Sequence, residues 1–577
     1  MRPGEICVVT AWLVIALSAQ SVAQADVPEQ FRVRGAHAKP NPYLADPDLA
    51  SPRAVQVEAT AEERARGFIV FSKPPGAVVA ADYVPAGSER CAAIEVRDCP
   101  GQYGNATFTV FALAGASFRT AATDLAAPGG ARIGAENLDL RAVRYAKVRG
   151  QGKAESIPLL IEAFDEKAIP EGRLQQFWIT YYVPPATAPG AYQGQVDISA
   201  DGTRKLSLPL RIRVNSFRLA EPDVSFYMYY GGEADPQTLQ KRLVDQRCHG
   251  MNAGMVDPPV TQEGDLKLDA VRRVLDVYKQ AGFARPEVRV DFWNRVTSEW
   301  LNTPDKSIGM WGPWFRYYPF TDRLDERYVR SVQTIEEETR RRGLGLILAV
   351  ADEAGSHAWT IKATQHYSEL IKTQVSGVIR ELTVGGGWAG GQPEEKLWKG
   401  LINVWTTNRW LPDRLAAVRG DDPHARIELY NMAGAGSAAG GLMSARNVFG
   451  FFNWKARADG VTQWVYWHPG TPEHNYAWPA ENPLDGMVPT LRWEAVREGT
   501  KDRRYLATLE ERLAGKQGTL ADSARKFLAD ITAKIELRTE DYDPIGGGRV
   551  PALPPETYDE WRARIADLIE SLATPGG

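Results

Sequence analysis

The hydrophobic pattern of the chain changes period partway along. Between residues 55 and 213 apolar and polar positions alternate in short runs, as at 106–112, 176–183, 192–199 and 206–214. Period two belongs to strands with one buried face. Pro184-Pro185, Pro189-Gly190 and Asp201-Gly202 separate the last three runs, and this turn chemistry predicts hairpins of a β-sandwich. From residue 224 short apolar runs alternate with helical patterns instead. Strands are expected at 224–230, 253–256, 287–290, 345–350, 381–384, 402–405, 427–430 and 461–466. Helical patterns lie between most of them, at 236–248, 268–280, 328–342, 367–380 and 445–458. Eight βα units in about 250 residues match a (β/α)8 TIM-like barrel. The remainder, 492–573, is charged and helix-forming, broken by Gly546-Gly547-Gly548 and Pro554-Pro555. The expected organisation is therefore multidomain: a linker at 26–54, an N-terminal β-sandwich at 55–215, a central catalytic barrel at 216–500 and a C-terminal helical extension at 501–577.

Residues 1–25 read as an export signal. Arg2 precedes the apolar stretch 6–17, and Ala23-Gln24-Ala25 offers a small-x-small cleavage pattern. The stretch is too short to span a bilayer, no later segment is long and apolar enough to do so, and a periplasmic or extracellular destination follows. Cleavage would remove Cys7 and leave Cys91, Cys99 and Cys248, of which the first two are placed to close a small loop in an oxidising compartment. The Cys248-His249 neighbour pair reads as packing.

Composition narrows the function. An apolar fraction of 44% and a charged fraction of 24% are those of a globular protein, and a net charge of -4 gives nucleic acid no electrostatic hold. The dense basic run Arg340-Arg341-Arg342 closes a predicted helix, where cations favour the dipole. The 17 Trp point toward sugars, whose apolar C–H faces stack on aromatic rings.

A barrel of this kind does its chemistry at the C-terminal ends of its strands. Those ends carry Tyr229 on the first, Asp291 on the third and Asp352-Glu353 on the fourth. The fifth runs into Gly385-Gly386-Gly387-Trp388, the sixth ends near Trp405, the seventh at Asn431 and the eighth at Tyr466-Trp467-His468. Tyr229, Asp291, Trp388, Trp405, Asn431, Tyr466 and Trp467 are the substrate-binding candidates. Asp352 and Glu353 are the catalytic ones, since a buried strand delivers both carboxyls to its mouth, where burial and mutual repulsion prepare a general acid. The competing role for either is a helix cap or a surface ion pair. No metal or cofactor is implied: the Gly-rich stretch lacks the Lys-Ser/Thr of a phosphate loop, and His468 and His474 lack ligand spacing.

Adjacency limits the mechanism. A conventional glycosidase pair straddles the scissile bond about 5–5.5 Å or about 6.5–9.5 Å apart. Sequence neighbours act from one side, which fits substrate-assisted hydrolysis with a 2-acetamido group as nucleophile. Glu353 then protonates the leaving oxygen, and Asp352 holds the acetamide N–H. Two other readings stay open: a non-acetamido glycosidase that recruits Asp291 or Glu473 as nucleophile, and a non-catalytic glycan binder using Trp388, Trp405 and Trp467 as platforms.

Several motifs carry a resemblance. The stretches Phe177-Trp178-Ile179-Thr180-Tyr181-Tyr182-Val183-Pro184 and Pro189-Gly190-Ala191-Tyr192-Gln193-Gly194 resemble the sandwich of glycoside hydrolase family 123 and its uncharacterised relatives. His249-Gly250-Met251-Asn252 is similar to their turn into the second strand, and Asp352-Glu353 to their catalytic pair. Asp459-Gly460, Trp464-Val465-Tyr466-Trp467, Asp485-Gly486 and the run from Pro489 to Gly499 resemble their last strand and the helix after it. Ala354 stands where relatives commonly carry proline. The resemblance implies a β-N-acetylgalactosaminidase-type hydrolase acting on an oligosaccharide or polysaccharide, with Asp352 the stabiliser and Glu353 the acid.

Overall fold

The computed structural model describes residues 36–39, 49–148, 155–230, 235–261, 265–291, 322–356, 358–384, 394–433, 438–469, 474–482, 486–543 and 547–573. The expected export signal lies outside them. The alternating N-terminal runs form two sheets. One orders Phe68–Phe71, Tyr103–Ala112, Leu174–Tyr182, Leu138–Val148 and Glu155–Glu162; the other is built on Ile94–Asp98, Arg204–Val214, Gly190–Ala200, Ala116–Ala122 and Lys167–Ile169. Their facing side chains make the sandwich core: Phe68 meets Phe118 of the other sheet edge-on at 5.3 Å, and within the first sheet Phe108 stacks on its cross-strand partner Phe177 at 5.1 Å. The strand Tyr103–Ala112 is buried on both faces, because Asn105 and Phe111 point away from that core toward the rest of the molecule.

Eight parallel strands follow: β1 (Ser225–Phe226), β2 (Gly254–Val256), β3 (Glu287–Asp291), β4 (Gly345–Ala351), β5 (Val378–Val384), β6 (Val404–Thr407), β7 (Arg426–Tyr430) and β8 (Gly460–Thr462). Their order is β1-β8-β7-β6-β5-β4-β3-β2. The two end strands approach one another, since the N–H groups of Asn252 and Ala253 donate to Phe226 O at 3.1 Å. The Asn252 side chain reinforces this junction, accepting from Phe226 N and donating to Val224 O, each at 2.8 Å. Leu346, Leu348, Leu382, Val384 and Leu429 face outward into the core beneath the helices, which is why these strands read as apolar runs.

Two expected helices shift. The pattern at 367–380 belongs to a helix at Ala358–Gln374; a short turn through left-handed Gly377 follows, after which β-branched Val378 and Ile379 open β5. The pattern at 445–458 begins earlier, as Ala438–Asn447, and passes through a wide turn at Val448–Phe452. That turn is buried all round, so its period is blurred.

The C-terminal segment forms helices at Leu491–Leu513, Thr519–Lys534 and Pro555–Ala573. The first runs through residue 500 unbroken and touches everything. Thr490 caps it by accepting from Trp493 N at 3.1 Å. Toward the barrel, Trp493 stacks on His249 at 4.5 Å, and Glu494 pairs with His249 and Arg497. Toward the sandwich, Glu498 accepts from Asn105 at 3.1 Å, Lys501 donates to Asp98 at 2.7 Å, and Tyr505 meets Cys99 and Asn215. Cys91 and Cys99 are therefore free thiols rather than a loop-closing pair; Cys99 is buried against this helix.

Candidate active site

The β4 strand carries a register shift against β5: Ala349 faces Glu381, yet Ala351 faces Leu382. The extra residue leaves Val350 and Ala351 both on the outward face, among the core side chains. Alternation resumes one residue late, so Asp352 turns toward the lumen instead of away from it. Bulges of this kind re-aim side chains beside active sites. Glu353 follows with φ of 45°, a left-handed conformation uncommon for a residue with a side chain.

Both carboxyls sit in a poorly solvated place. Burial pushes Asp352 up to about 6; Thr383, through its side-chain hydrogen bond, pulls down and the charge of Glu381 adds to the rise. Burial and then the charge of Asp352 push Glu353 up to about 7. One oxygen of Asp352, Oδ1, is buried without a hydrogen-bond partner. Around the pair stands an aromatic wall. Tyr229 is 5.2 Å from Tyr430 and 6.1 Å from Trp464, ring centre to ring centre, and Trp464 is 5.6 Å from His468. The Tyr229 hydroxyl is 2.8 Å from Thr383 Oγ1.

Beneath this mouth the lumen is filled by paired charges. Glu381 accepts from Tyr227 and Thr406, each at 2.8 Å, and faces Arg289 at 3.4 Å. Arg289 also pairs with Glu428, lies 3.7 Å over the Tyr227 ring, and is fully buried. Arg426 binds Glu428 at 3.1 Å and Glu287 at 3.0 Å. Gly460 makes room for this layer, since a Cβ there would come 2.6 Å from Glu428 Cδ. The Glu381 and Glu428 carboxylates are thus tied to cations.

Asp352 and Glu353 follow the end of β4, Asn431 follows the end of β7, and Tyr229 lies three residues beyond β1, close enough to Asp352 to feel its charge. Asn431 ends β7 in a left-handed turn, with its N–H donating to Thr462 O. Two expected contacts lie elsewhere. Trp405 pairs in register with Leu382, on the outward face, and is 5% exposed in the core beneath the helices. Tyr466 is wholly buried behind the wall, its hydroxyl donating to Asp245 at 2.8 Å. Trp467 is half-buried with the Arg242 guanidinium 5.2 Å over its ring. Trp388, Glu473 and the side chain of Asp291 lie outside the described residues. Sequence reasoning missed Tyr227, Arg289, Glu381, Thr383, Thr406, Glu428, Tyr430 and Trp464. The available signal was the polar alternation within β5, β6 and β7, as in Glu381-Leu382-Thr383-Val384.

Among the described residues, no group of three or more His, Cys, Asp or Glu is placed to hold a metal ion, and no helix is long and apolar enough to cross a membrane.

The sequence matches no protein-family model and no curated protein. Solved structures do resemble it. A family 123 glycoside hydrolase from Clostridium perfringens, studied for glycolipid glycan hydrolysis, superposes with a TM-score of 0.59 at 13% identity, over 87% of this chain and 97% of that one. A family 39 glycoside hydrolase from the gut symbiont Bacteroides cellulosilyticus WH2 gives 0.37 at 9% identity, over 71% of this chain and 82% of its own. A GH5 xyloglucanase from Bacteroides ovatus gives 0.24 at 8% identity, over 72% and 98% respectively. The last two superpose too loosely to bear on the fold. From the first, the chain shares the fold of a family 123 glycoside hydrolase.

Proposed function

We propose that this protein is a glycoside hydrolase that cleaves a 2-acetamido β-glycoside with retention, the acetamido group of the sugar serving as nucleophile. The observation that carries this reading is the pair Asp352-Glu353, turned into the mouth of the barrel on one strand end. Near neutral pH the lower of the two, Asp352, is ionised while Glu353 keeps its proton for a good part of the population. That is the division of labour the mechanism requires. Glu353 protonates the leaving oxygen. Asp352 accepts the acetamide N–H and offsets the positive charge that develops on the oxazolinium-like intermediate. A carboxylate short of hydrogen-bond donors gains most from a substrate that brings one.

The fold of a family 123 hydrolase supports the reading, as does the wall of Tyr229, Tyr430 and Trp464, which offers apolar faces to a sugar ring. Glu381 and Glu428, two further lumen carboxylates, are held by Arg289 and Arg426, which argues against either serving as a second nucleophile. Asn431 belongs to the same mouth, and Trp388 and Asp291 are assigned to it from sequence. The deciding test is turnover of aryl 2-acetamido glycosides against the matching glycosides without the acetamido group. Equal turnover of both sets would overturn the proposal; inhibition by a thiazoline mimic of the intermediate would support it.

A further inference from the structure

The neighbourhood of His249 is built around a buried carboxylate. Asp245, one turn before His249 on the Pro236–Cys248 helix, is 9% exposed. Its Oδ2 accepts from the Tyr466 hydroxyl at 2.8 Å and from Trp493 Nε1 at 3.0 Å, and its Oδ1 lies 3.3 Å from His249 Nδ1. The three partners come from three places: the segment after β8, the Leu491–Leu513 helix and the end of the Asp245 helix itself. Their rings close around the carboxylate, with Trp493 stacked on His249 at 4.5 Å and edge-on to Tyr466 at 5.7 Å. Burial works against the charge, yet the charge of His249 and the hydrogen bonds of His249, Trp493 and Tyr466 hold Asp245 below the ordinary carboxylate value.

Tyr466 is tied to the aromatic wall by its backbone. Its N–H donates to Tyr229 O at 2.9 Å, and Tyr229 N–H donates to Gln463 O at 3.1 Å, so the stretches after β1 and after β8 are paired. Trp464 lies within the second stretch, its ring 6.1 Å from that of Tyr229. On the other side, Ala477 N–H donates to Tyr466 O at 3.0 Å. These bonds run along the backbone; the hydroxyl bond to Asp245 fastens the segment to the helix behind it. An ionised acceptor makes that bond roughly twice as strong as a neutral one. We propose that Asp245 is a positioning residue of the sugar site: through the Tyr466 hydroxyl it sets where Trp464 and Tyr229 stand, and hence how tightly the sugar ring is held. The inference rests on the proposed reading of the Tyr229, Tyr430 and Trp464 wall as the surface that meets the sugar. Asp245 lies behind that wall, so its influence reaches the substrate through binding and not through proton transfer.

The test starts from Tyr466→Phe, which keeps the ring and its packing and removes the bond to Asp245. With an aryl 2-acetamido glycoside, KM should rise about threefold to tenfold while kcat changes less than about twofold, because the wall holds substrate and transition state alike. A merely structural role would lower the folded fraction, and with it the apparent kcat, and leave KM where it was. Asp245→Ala should raise KM at least as far. Adding Tyr466→Phe to it should then change KM by less than about twofold, since the bond is already gone. Where Asp245→Ala does not fold, Tyr466→Phe decides alone. An unchanged KM in folded Tyr466→Phe, or additive effects in the double variant, would overturn the inference. If the wild type turns over no glycoside, the proposed reaction fails and the fastening is read directly instead. In protein labelled with fluorotryptophan, the Trp464 fluorine signal, identified by its loss in Trp464→Phe, should shift in Tyr466→Phe. An unmoved Trp464 signal would sink the proposal.

Discussion

The charge of Asp352 helps hold the proton on Glu353: the two side chains are neighbours on one strand end, and Glu353 rises to about 7 through burial and then through Asp352. The pair titrates as a unit. The profile of kcat/KM against pH should be a narrow bell, rising through about 6 as Asp352 ionises and falling through about 7 as Glu353 loses its proton. In Asp352→Asn the residual activity should show its falling limb at lower pH, since Glu353 no longer feels the neighbouring charge. Initial rates across pH 4–9 check both statements.

On the proposed mechanism, replacing Glu353 has a leaving-group signature. Glu353→Gln should lower kcat by about 10²–10⁴-fold on a natural glycan, where the departing alcohol needs a proton. The loss should be much smaller on an aryl glycoside with an acidic phenol. Asp352→Asn should not show that contrast, because its role is the same for every leaving group. Paired kinetics on the two substrate types separate the roles.

The same substitution should stabilise the fold. Asp352 and Glu353 both have folded values raised above their ordinary ones. Their contribution to stability is therefore fully present below about pH 4 and lost as pH rises through about 6 and 7. Glu353→Gln, which is neutral at every pH, should be more stable than wild type at pH 8 by on the order of 1–3 kcal/mol. The difference should close below about pH 4. Denaturant melts at the two pH values test this, and a less stable variant at pH 8 would contradict it.

Arg289 is the keystone of the charged layer under the site. Arg289→Met leaves Glu381 and Glu428 in the lumen with Arg426, among the described residues, as the one remaining ion-pair partner, and should cost about 3–5 kcal/mol. Adding Glu428→Gln should recover a large part of that cost, as urea titration of the single and double variants would show.

Gly250 turns the Pro236–Cys248 helix into β2 with φ of +88°, and a Cβ there would come 2.0 Å from Thr500 Oγ1. Gly250→Ala should therefore destabilise by more than about 1 kcal/mol, the ordinary cost of an incompatible backbone. Thr500→Ala in the same chain should return the contact part of the loss and leave the backbone part.

Much of this architecture was readable from spacing. The run from Gly345 to Ala351 is apolar on every residue, so β4 and the acidic pair at its end stand out without knowledge of the fold. What spacing does not carry is the face on which a residue emerges. One inserted residue between Ala349 and Ala351 turns Asp352 inward, and no composition signal marks it. The same uncertainty sent Trp405 to the wrong face: it follows Val404 by one residue, and a short strand offers too few turns of alternation to fix its parity. Tyr466 fails for another reason. It lies beyond the end of β8, where it docks on Asp245 from the Pro236–Cys248 helix, a contact distant in sequence by 221 residues. Glu381, Glu428 and Arg289 were legible only as polar interruptions of strands. Their meaning comes from neighbours on other strands.

The Leu491–Leu513 helix joins the sandwich to the barrel through Glu498, Lys501 and Tyr505 on one side and Trp493 and Glu494 on the other. Because one helix is fastened on both sides, shifting one half against the other has to break the Glu498–Asn105, Lys501–Asp98 and Trp493–His249 contacts together. The two halves are thereby coupled in stability, since unfolding either one strips a face of the same buried helix.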